Sequence, residues 1–99
     1  MMTTEQQAKL QKAWNKRSEL GDESFKMYER AEKLSLDNTD NILNQKLYIA
    51  IEEKIKAESE ILWFQAVLEY AKTLDDPTNF QYEWNDESCT INGVLFKEQ

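Results

Sequence analysis

Apolar side chains recur at steps of three and four residues through the first third of the chain, a spacing that places them on one face of a helix. Thr3 and Thr4 each have a glutamine three residues further on, which is the spacing of a capping box at a helix start. These signals predict a helix over 4–34, which could kink or break at Gly21 because glycine weakens a helix interior. The apolar stripe consists of Leu10, Ala13, Trp14, Leu20, Phe25, Met27, Tyr28, Ala31 and Leu34.

A second helix is predicted over 39–74, a stretch without glycine or proline. The polar segment 35–40 before it contains residues that stop one helix and cap the next, and Pro77 after it prevents its continuation. At 1.5 Å per residue this helix would extend about 54 Å, whereas a compact chain of this length has a radius of gyration of about 13 Å. Its apolar stripe contains Leu43, Leu47, Ile51, Ile55, Leu62 and Leu68.

The second predicted helix carries more apolar surface than one small chain can cover. Over 61–71 only Gln65 and Glu69 are polar, so this segment must be buried from more than one direction. We therefore expect self-association through the second helix as a homodimer or higher oligomer. Lys54 and Glu58, one turn apart beside the stripe, either fix the register of such an assembly or form an ordinary intrahelical pair. The predicted oligomer interface consists of Leu47, Ile51, Ile55, Leu62, Trp63, Phe64 and Val67.

Beyond Pro77 the period of the pattern changes from helical to two. Phe80, Tyr82 and Trp84 alternate with polar residues, as in a half-buried strand. Asn92-Gly93, between two further apolar runs, is a dipeptide that favours a tight type I′ hairpin turn. We predict a meander of two or three strands over 80–97. Its aromatic face needs a surface to rest on, and the apolar 61–71 segment is the expected one.

The predicted fold is therefore a single domain over 1–99 that is mainly α. It consists of a two-helix antiparallel hairpin with a very long second helix and a small C-terminal β-hairpin or meander. The 99 residues include only two glycines and one proline, and 40% are hydrophobic, which is typical of a globular helical chain. A chain of this size buries only about two thirds of its unfolded surface, so its core is small.

The net charge of −7 is concentrated near the C-terminus, since residues 75–99 hold six acidic and one basic side chain and the rest of the chain holds 13 and 11. Nucleic acid is therefore an unlikely partner, because that affinity comes from lysine and arginine. A protein with a basic surface is the better match. The alternative is that the aromatic residues of the meander form its core face. The predicted partner-binding residues are Tyr82, Glu83, Trp84, Asp86 and Glu87.

Several kinds of chemistry are disfavoured by composition. The chain has no histidine, which excludes Ser–His and Cys–His nucleophile systems. Cys89 is the only cysteine, which excludes an internal disulfide and suits a reducing cytoplasm. No glycine-rich phosphate loop occurs, and no apolar run has the length of a membrane span or a signal peptide. The sequence predicts no catalytic residue, cofactor or metal, and a cytoplasmic location without membrane contact.

Two alternative sites remain open from the residues alone. Glutamates on both helices could converge on Mg²⁺, as in all-helical nucleotide pyrophosphohydrolases, although paired lysines make solvated helix faces the simpler interpretation. A basic patch beside Trp14 could bind phosphate, with the ring stacking on a base. The glutamates concerned are Glu29, Glu32, Glu52, Glu53 and Glu58, and the basic patch is formed by Lys9, Lys12, Lys16 and Arg17.

The sequence as a whole favours a non-enzymatic protein-interaction module that acts as an adaptor, inhibitor or assembly factor, of a kind found among bacterial and phage accessory proteins. We expect it to self-associate through the second helix and to contact a basic partner through its acidic C-terminal region. The alternatives are a protein that binds a nucleotide-like ligand at an oligomer interface and a Mg²⁺-dependent pyrophosphohydrolase.

Overall fold

The computed structural model describes residues 2–85 and 87–98. Its first helix is α1, Thr4–Glu32. The predicted capping box is present at its start: the Thr3 hydroxyl accepts from the Gln6 amide at 3.1 Å, and the Gln6 side chain accepts from the Thr3 amide at 2.9 Å. The helix runs through Gly21 without a break. It ends two residues before the predicted boundary, where the Leu34 amide donates to the Ala31 carbonyl.

The second helix is α2, Thr39–Ala71. Asn38 caps its start, its side-chain oxygen accepting from the Asn41 amide at 2.8 Å. The predicted end at residue 74 is wrong by three residues. The Thr73 hydroxyl donates to the Tyr70 carbonyl at 2.7 Å, and the Thr73 amide donates to the same carbonyl, so the chain tightens into a turn before it reaches Pro77.

The two helices form the predicted antiparallel hairpin, and the molecule measures 58 × 23 × 20 Å. Trp14 of α1 and Trp63 of α2 meet edge to face, with ring centroids 5.0 Å apart. At the far end of the hairpin, the Gln45 side chain donates to the Ala31 carbonyl at 3.4 Å. The radius of gyration is 17.6 Å, well above the value of about 13 Å for a compact chain, because α2 extends almost the whole length of the molecule.

The predicted meander is present as a three-stranded antiparallel sheet in the order β1-β2-β3. A short 3₁₀ turn, Pro77–Asn79, precedes it. Asn92 and Gly93 join β2 to β3 with φ angles of 48° and 82°, as the predicted type I′ turn requires. The strands are β1, Tyr82–Trp84; β2, Ser88–Ile91; and β3, Val94–Lys97.

The core lies at one end of the hairpin, between the sheet, the first half of α1 and the second half of α2. The sheet packs on both helices: β3 lies against α1, and Trp63 and Tyr70 of the predicted 61–71 segment contact the sheet through their side chains. Trp63 is completely buried at the centre. Such a core forms because the inward positions of β2 and β3 and one face of each helix are apolar. Its buried members are Leu10, Ala13, Trp14, Trp63, Val67, Tyr70, Cys89, Ile91 and Phe96.

Candidate interaction surface

The aromatic part of the predicted partner surface belongs largely to the fold itself. The rings of Phe80, Tyr82 and Trp84 stack in a row, with successive centroids 6.2 and 6.5 Å apart. The Tyr82 hydroxyl accepts a hydrogen bond from the Trp63 indole at 3.0 Å, and burial raises the pKa of this phenol. Tyr82 therefore satisfies a buried donor of the core and is not a free contact residue.

Trp84 is 43% exposed, but a cation of the same chain already occupies one face of its ring. The Arg17 guanidinium carbon lies 4.4 Å from the Trp84 ring centroid and 4.7 Å from that of Trp14. Trp14 and Trp84 are themselves in edge contact, with centroids 5.5 Å apart, and burial of Arg17 against both rings lowers its pKa. In this arrangement, which we call the aromatic clamp, a cation of the same chain covers part of the aromatic surface that was predicted to contact a basic partner.

The acidic part of the predicted surface remains exposed. Glu83 and Glu87 are both exposed, and neither forms an ion pair within residues 2–85 and 87–98. Asn85 fixes the loop between β1 and β2, since its side-chain oxygen accepts from the Glu87 and Ser88 amides, each at 2.9 Å. Asp86, the remaining predicted contact, lies outside the described residues. Contact with a basic partner through these carboxylates stays a prediction.

The structure does not place the residues of the predicted oligomer interface on one surface of α2. Trp63 and Val67 are buried in the core of the chain itself, so they cannot form an outer surface of α2. Their helical positions place them towards α1 and the sheet. Leu47 and Phe64 point outwards and are more than half exposed. The other predicted residues, which are half-buried beside the contact with α1, are Ile51, Ile55 and Leu62.

A different set of α2 positions forms one continuous exposed stripe, which we call the outer seam. Its members follow one another at alternating steps of four and three residues, the spacing of coiled-coil a and d positions. All eight are exposed, and the five large apolar side chains among them are 53–58% exposed. The packing within one chain therefore leaves this heptad pattern exposed. The outer seam consists of Leu43, Leu47, Ala50, Lys54, Ala57, Ile61, Phe64 and Leu68.

The centre of the outer seam combines small residues with a charge. Lys54 lies between Ala50 and Ala57, and its ammonium is 3.9 Å from the Glu58 carboxylate. Both charged side chains are mostly exposed, so their mutual attraction contributes little to the stability of the monomer. A lysine at a core position of a coiled coil instead restricts which registers and partner numbers are compatible with packing.

A groove of about 590 Å³ lies between the helices around Gly21. Its buried polar groups are already paired. The Ser24 and Ser59 hydroxyls donate to helix carbonyls one turn earlier, at 2.8 and 2.7 Å, and Glu52 pairs with Lys56 at 2.9 Å. Ligand sites usually present a few polar groups that converge on the ligand. The groove itself therefore gives no sign of a ligand, and the alternative of a nucleotide-like ligand at an oligomer interface stays a prediction.

The chemistry of the remaining candidates is also limited. Within the described parts of the chain, no three Cys, Asp or Glu side chains come together as a metal site, so the predicted carboxylate cluster gains no support. Cys89 is buried, and its burial raises the thiol pKa. Desolvation is the largest cause of this rise, and the hydrogen bond with Tyr82 and the charge of Arg17 act in the opposite direction.

Comparison of this chain with protein-family models, curated proteins and solved structures gives no match. None of the helices within residues 2–85 and 87–98 combines the length and apolar character that a bilayer span requires. Function is therefore inferred from the surfaces described above.

Proposed function

We propose that this chain is a non-enzymatic protein-assembly module that self-associates through the outer seam of α2. The observation that carries the proposal is the heptad spacing of eight exposed positions from Leu43 to Leu68, seven of which are apolar. A helix needs only one apolar face to pack against its own chain. A second apolar face of this length is typical of a helix that packs against another helix.

The contacts between the sheet and the two helices also support a scaffold role. The aromatic clamp at Arg17 and the Trp63–Tyr82 hydrogen bond at 3.0 Å tie the sheet to both helices. The long hairpin can therefore present its outer seam while the small core holds the helices together. Glu83 and Glu87 remain available for the predicted contact with a basic partner, which would be a separate surface from the seam.

Two matched variants test the assembly. Ile61→Lys and Leu95→Lys each place one positive charge on an apolar side chain that is 56% and 52% exposed, respectively. Ile61 lies in the outer seam and Leu95 on the sheet. Unfolding that is coupled to dissociation makes the melting temperature rise with protein concentration. We expect this rise in the wild type and in Leu95→Lys, and its loss in Ile61→Lys.

A melting temperature of the wild type that is independent of concentration would contradict the proposal. Equal concentration dependence in the two variants would also contradict it, because the association would then not use the seam. Circular dichroism of each variant at low concentration checks that both remain folded.

The acidic surface has its own test. Glu83→Lys with Glu87→Lys should weaken binding to an immobilised arginine-rich peptide, and the loss should shrink as salt is raised, since exposed charges are screened. The control is Glu19→Lys with Glu23→Lys, which makes the same change of charge on exposed positions of α1. Equal losses in both double variants would show only a response to net charge and would count against a site at the sheet.

A further inference from the structure

We infer that the occupant of the outer seam is a second copy of this chain lying antiparallel, with the two-fold axis between residues 55 and 56 of α2. This inference rests on the proposed self-association and adds its orientation and register. An antiparallel pair centred there brings all eight seam positions of each copy into contact over roughly 37 Å of helix. The layers, each joining a residue of one copy to a residue of the other, are Leu43 with Leu68, Leu47 with Phe64, Ala50 with Ile61, and Lys54 with Ala57.

The sizes of the seam side chains favour this orientation. In the antiparallel pair Ala50 faces Ile61 and Lys54 faces Ala57, so each of the two smallest side chains meets a longer one. In a parallel pair each residue faces its own copy. Two layers would then contain only alanines, while another would contain two phenylalanine rings. Because helix separation changes little from one layer to the next, the parallel pair would leave voids at the alanine layers, and such voids are costly.

The charges at the centre favour the same orientation. A parallel pair would place two Lys54 ammonium groups in one layer. The antiparallel pair places them in adjacent layers, about 4.5 Å apart along the axis, and each Lys54 then faces the small side chain of Ala57 of the other copy. Glu53 and Glu60, which flank the centre, favour neither orientation, because Glu53 lies opposite a carboxylate of the other copy in both. Lys54 therefore acts as the residue that specifies orientation.

The area of the seam is sufficient for a stable pair. Burying the exposed part of five large apolar side chains on each copy removes roughly 1,000 Å² of apolar surface from water, and flanking residues add to it, which reaches the range of standard interfaces at about 1,200 Å². The surface is also self-complementary in charge, since each copy contributes one lysine and one glutamate at the centre. A second copy satisfies both requirements without another protein.

Disulfide formation between introduced cysteines tests orientation and register. Ala50→Cys and Ile61→Cys lie in one layer of the antiparallel pair, whereas position 50 of one copy is about 16 Å along the axis from position 50 of the other, too far for a disulfide. Cys89 is buried and is kept in both proteins. The two variants are mixed and then mildly oxidised. One of them carries an affinity tag, so that mixed and identical disulfide-linked pairs separate on a gel. We expect the mixed disulfide to exceed either identical one about tenfold.

A predominance of disulfides between two copies of the Ala50→Cys variant would overturn the antiparallel orientation while leaving self-association intact. A dimeric mass without any disulfide would overturn this register. A monomeric mass would overturn the proposed function together with the inference. In addition, Lys54→Leu combined with Ala50→Cys removes the orienting charge, and we expect disulfides between two copies of this double variant to form several-fold more than in Ala50→Cys alone. No rise in the double variant would contradict the role assigned to Lys54.

Discussion

The two ends of the helical hairpin are built differently. At the sheet end, large apolar side chains from α1, α2 and the sheet surround Trp63, which is completely buried. At the other end the described contacts are between the two helices, and the buried residues there are small or polar. Ser24, Ala31 and Glu52 are the buried ones, and Gln45 reaches across to a carbonyl.

This difference indicates where the folding free energy resides. Burial of large apolar side chains contributes about 1.5–3 kcal/mol each, and nearly all such burial is at the sheet end. The turn end gains little from its own contact, yet α2 continues through it with exposed Leu43 and Leu47. If the outer seam binds a second copy as proposed, this association would stabilise the turn end, to which the core of one chain contributes little.

The largest expected effect is at the centre of the core. Trp63→Ala should lower the free energy of unfolding by about 3–5 kcal/mol, since it leaves a cavity and removes the partner of Tyr82. Phe25→Ala is the matched control, because Phe25 is an aromatic residue of α1 that is 59% exposed. This substitution should lower the free energy of unfolding by no more than about 0.5 kcal/mol. Urea unfolding at one protein concentration measures both. Similar losses would refute the contrast between the two ends.

The turn between β2 and β3 should give the next largest effect. Asn92 has a positive φ angle of 48°, and its side chain accepts from the Gln81 amide at 2.7 Å and donates to the Tyr70 hydroxyl at 3.0 Å. Asn92→Ala should cost about 2 kcal/mol in unfolding free energy, through strain and two lost hydrogen bonds. Asn92→Gly removes the bonds without the strain and should cost less. Equal losses would mean that backbone conformation plays no part.

At the turn end a polar residue occupies a core position, and its replacement should stabilise the protein. Glu52 is buried and pairs with the mostly exposed Lys56 at 2.9 Å. Glu52→Leu should raise the free energy of unfolding by about 1 kcal/mol, because apolar burial exceeds the value of a partly solvated ion pair. Lys56→Met, which leaves the buried carboxylate without its counter-charge, should lower it by about 1 kcal/mol. A loss of stability in Glu52→Leu would show that the turn end depends on polar contacts.

The smallest effect is expected at the aromatic clamp, which lies where the two ends meet. Arg17→Met keeps the length of the side chain and removes the charge that lies against the rings of Trp14 and Trp84. We expect a loss of about 0.5–1 kcal/mol in unfolding free energy and a change in tryptophan fluorescence. Lys16→Met, on the neighbouring exposed position, should change neither quantity. An unchanged fluorescence spectrum in Arg17→Met would contradict the clamp.

Local patterns predicted most of the fold. The capping box at Thr3, the two helices, the hairpin turn at Asn92-Gly93 and the meander all depend on neighbours within a few residues, so the sequence displays them directly. The end of α2 was misplaced because residues 72–74 continue a helical composition, while the hydrogen bond of the Thr73 hydroxyl to the Tyr70 carbonyl ends the helix there.

The outer seam and the aromatic clamp were not found from the sequence, for different reasons. The 4-3 spacing of the seam is present in the sequence, but Lys54 and two alanines interrupt its hydrophobicity, and a second stripe overlaps it on the same helix. Trp63 and Val67 were therefore assigned to the wrong face. The clamp joins Arg17 near the start of the chain to Trp84 near its end, and no local pattern can reveal such a contact.

The central claim is that α2 packs on its own chain with one face and on a second copy with the other. Its most direct test is the molar mass of the unmodified protein, measured by light scattering coupled to size exclusion over about a hundredfold range of concentration. Our account expects twice the chain mass of 11.7 kDa at the higher concentrations, with dissociation on dilution. A mass equal to one chain throughout would contradict it.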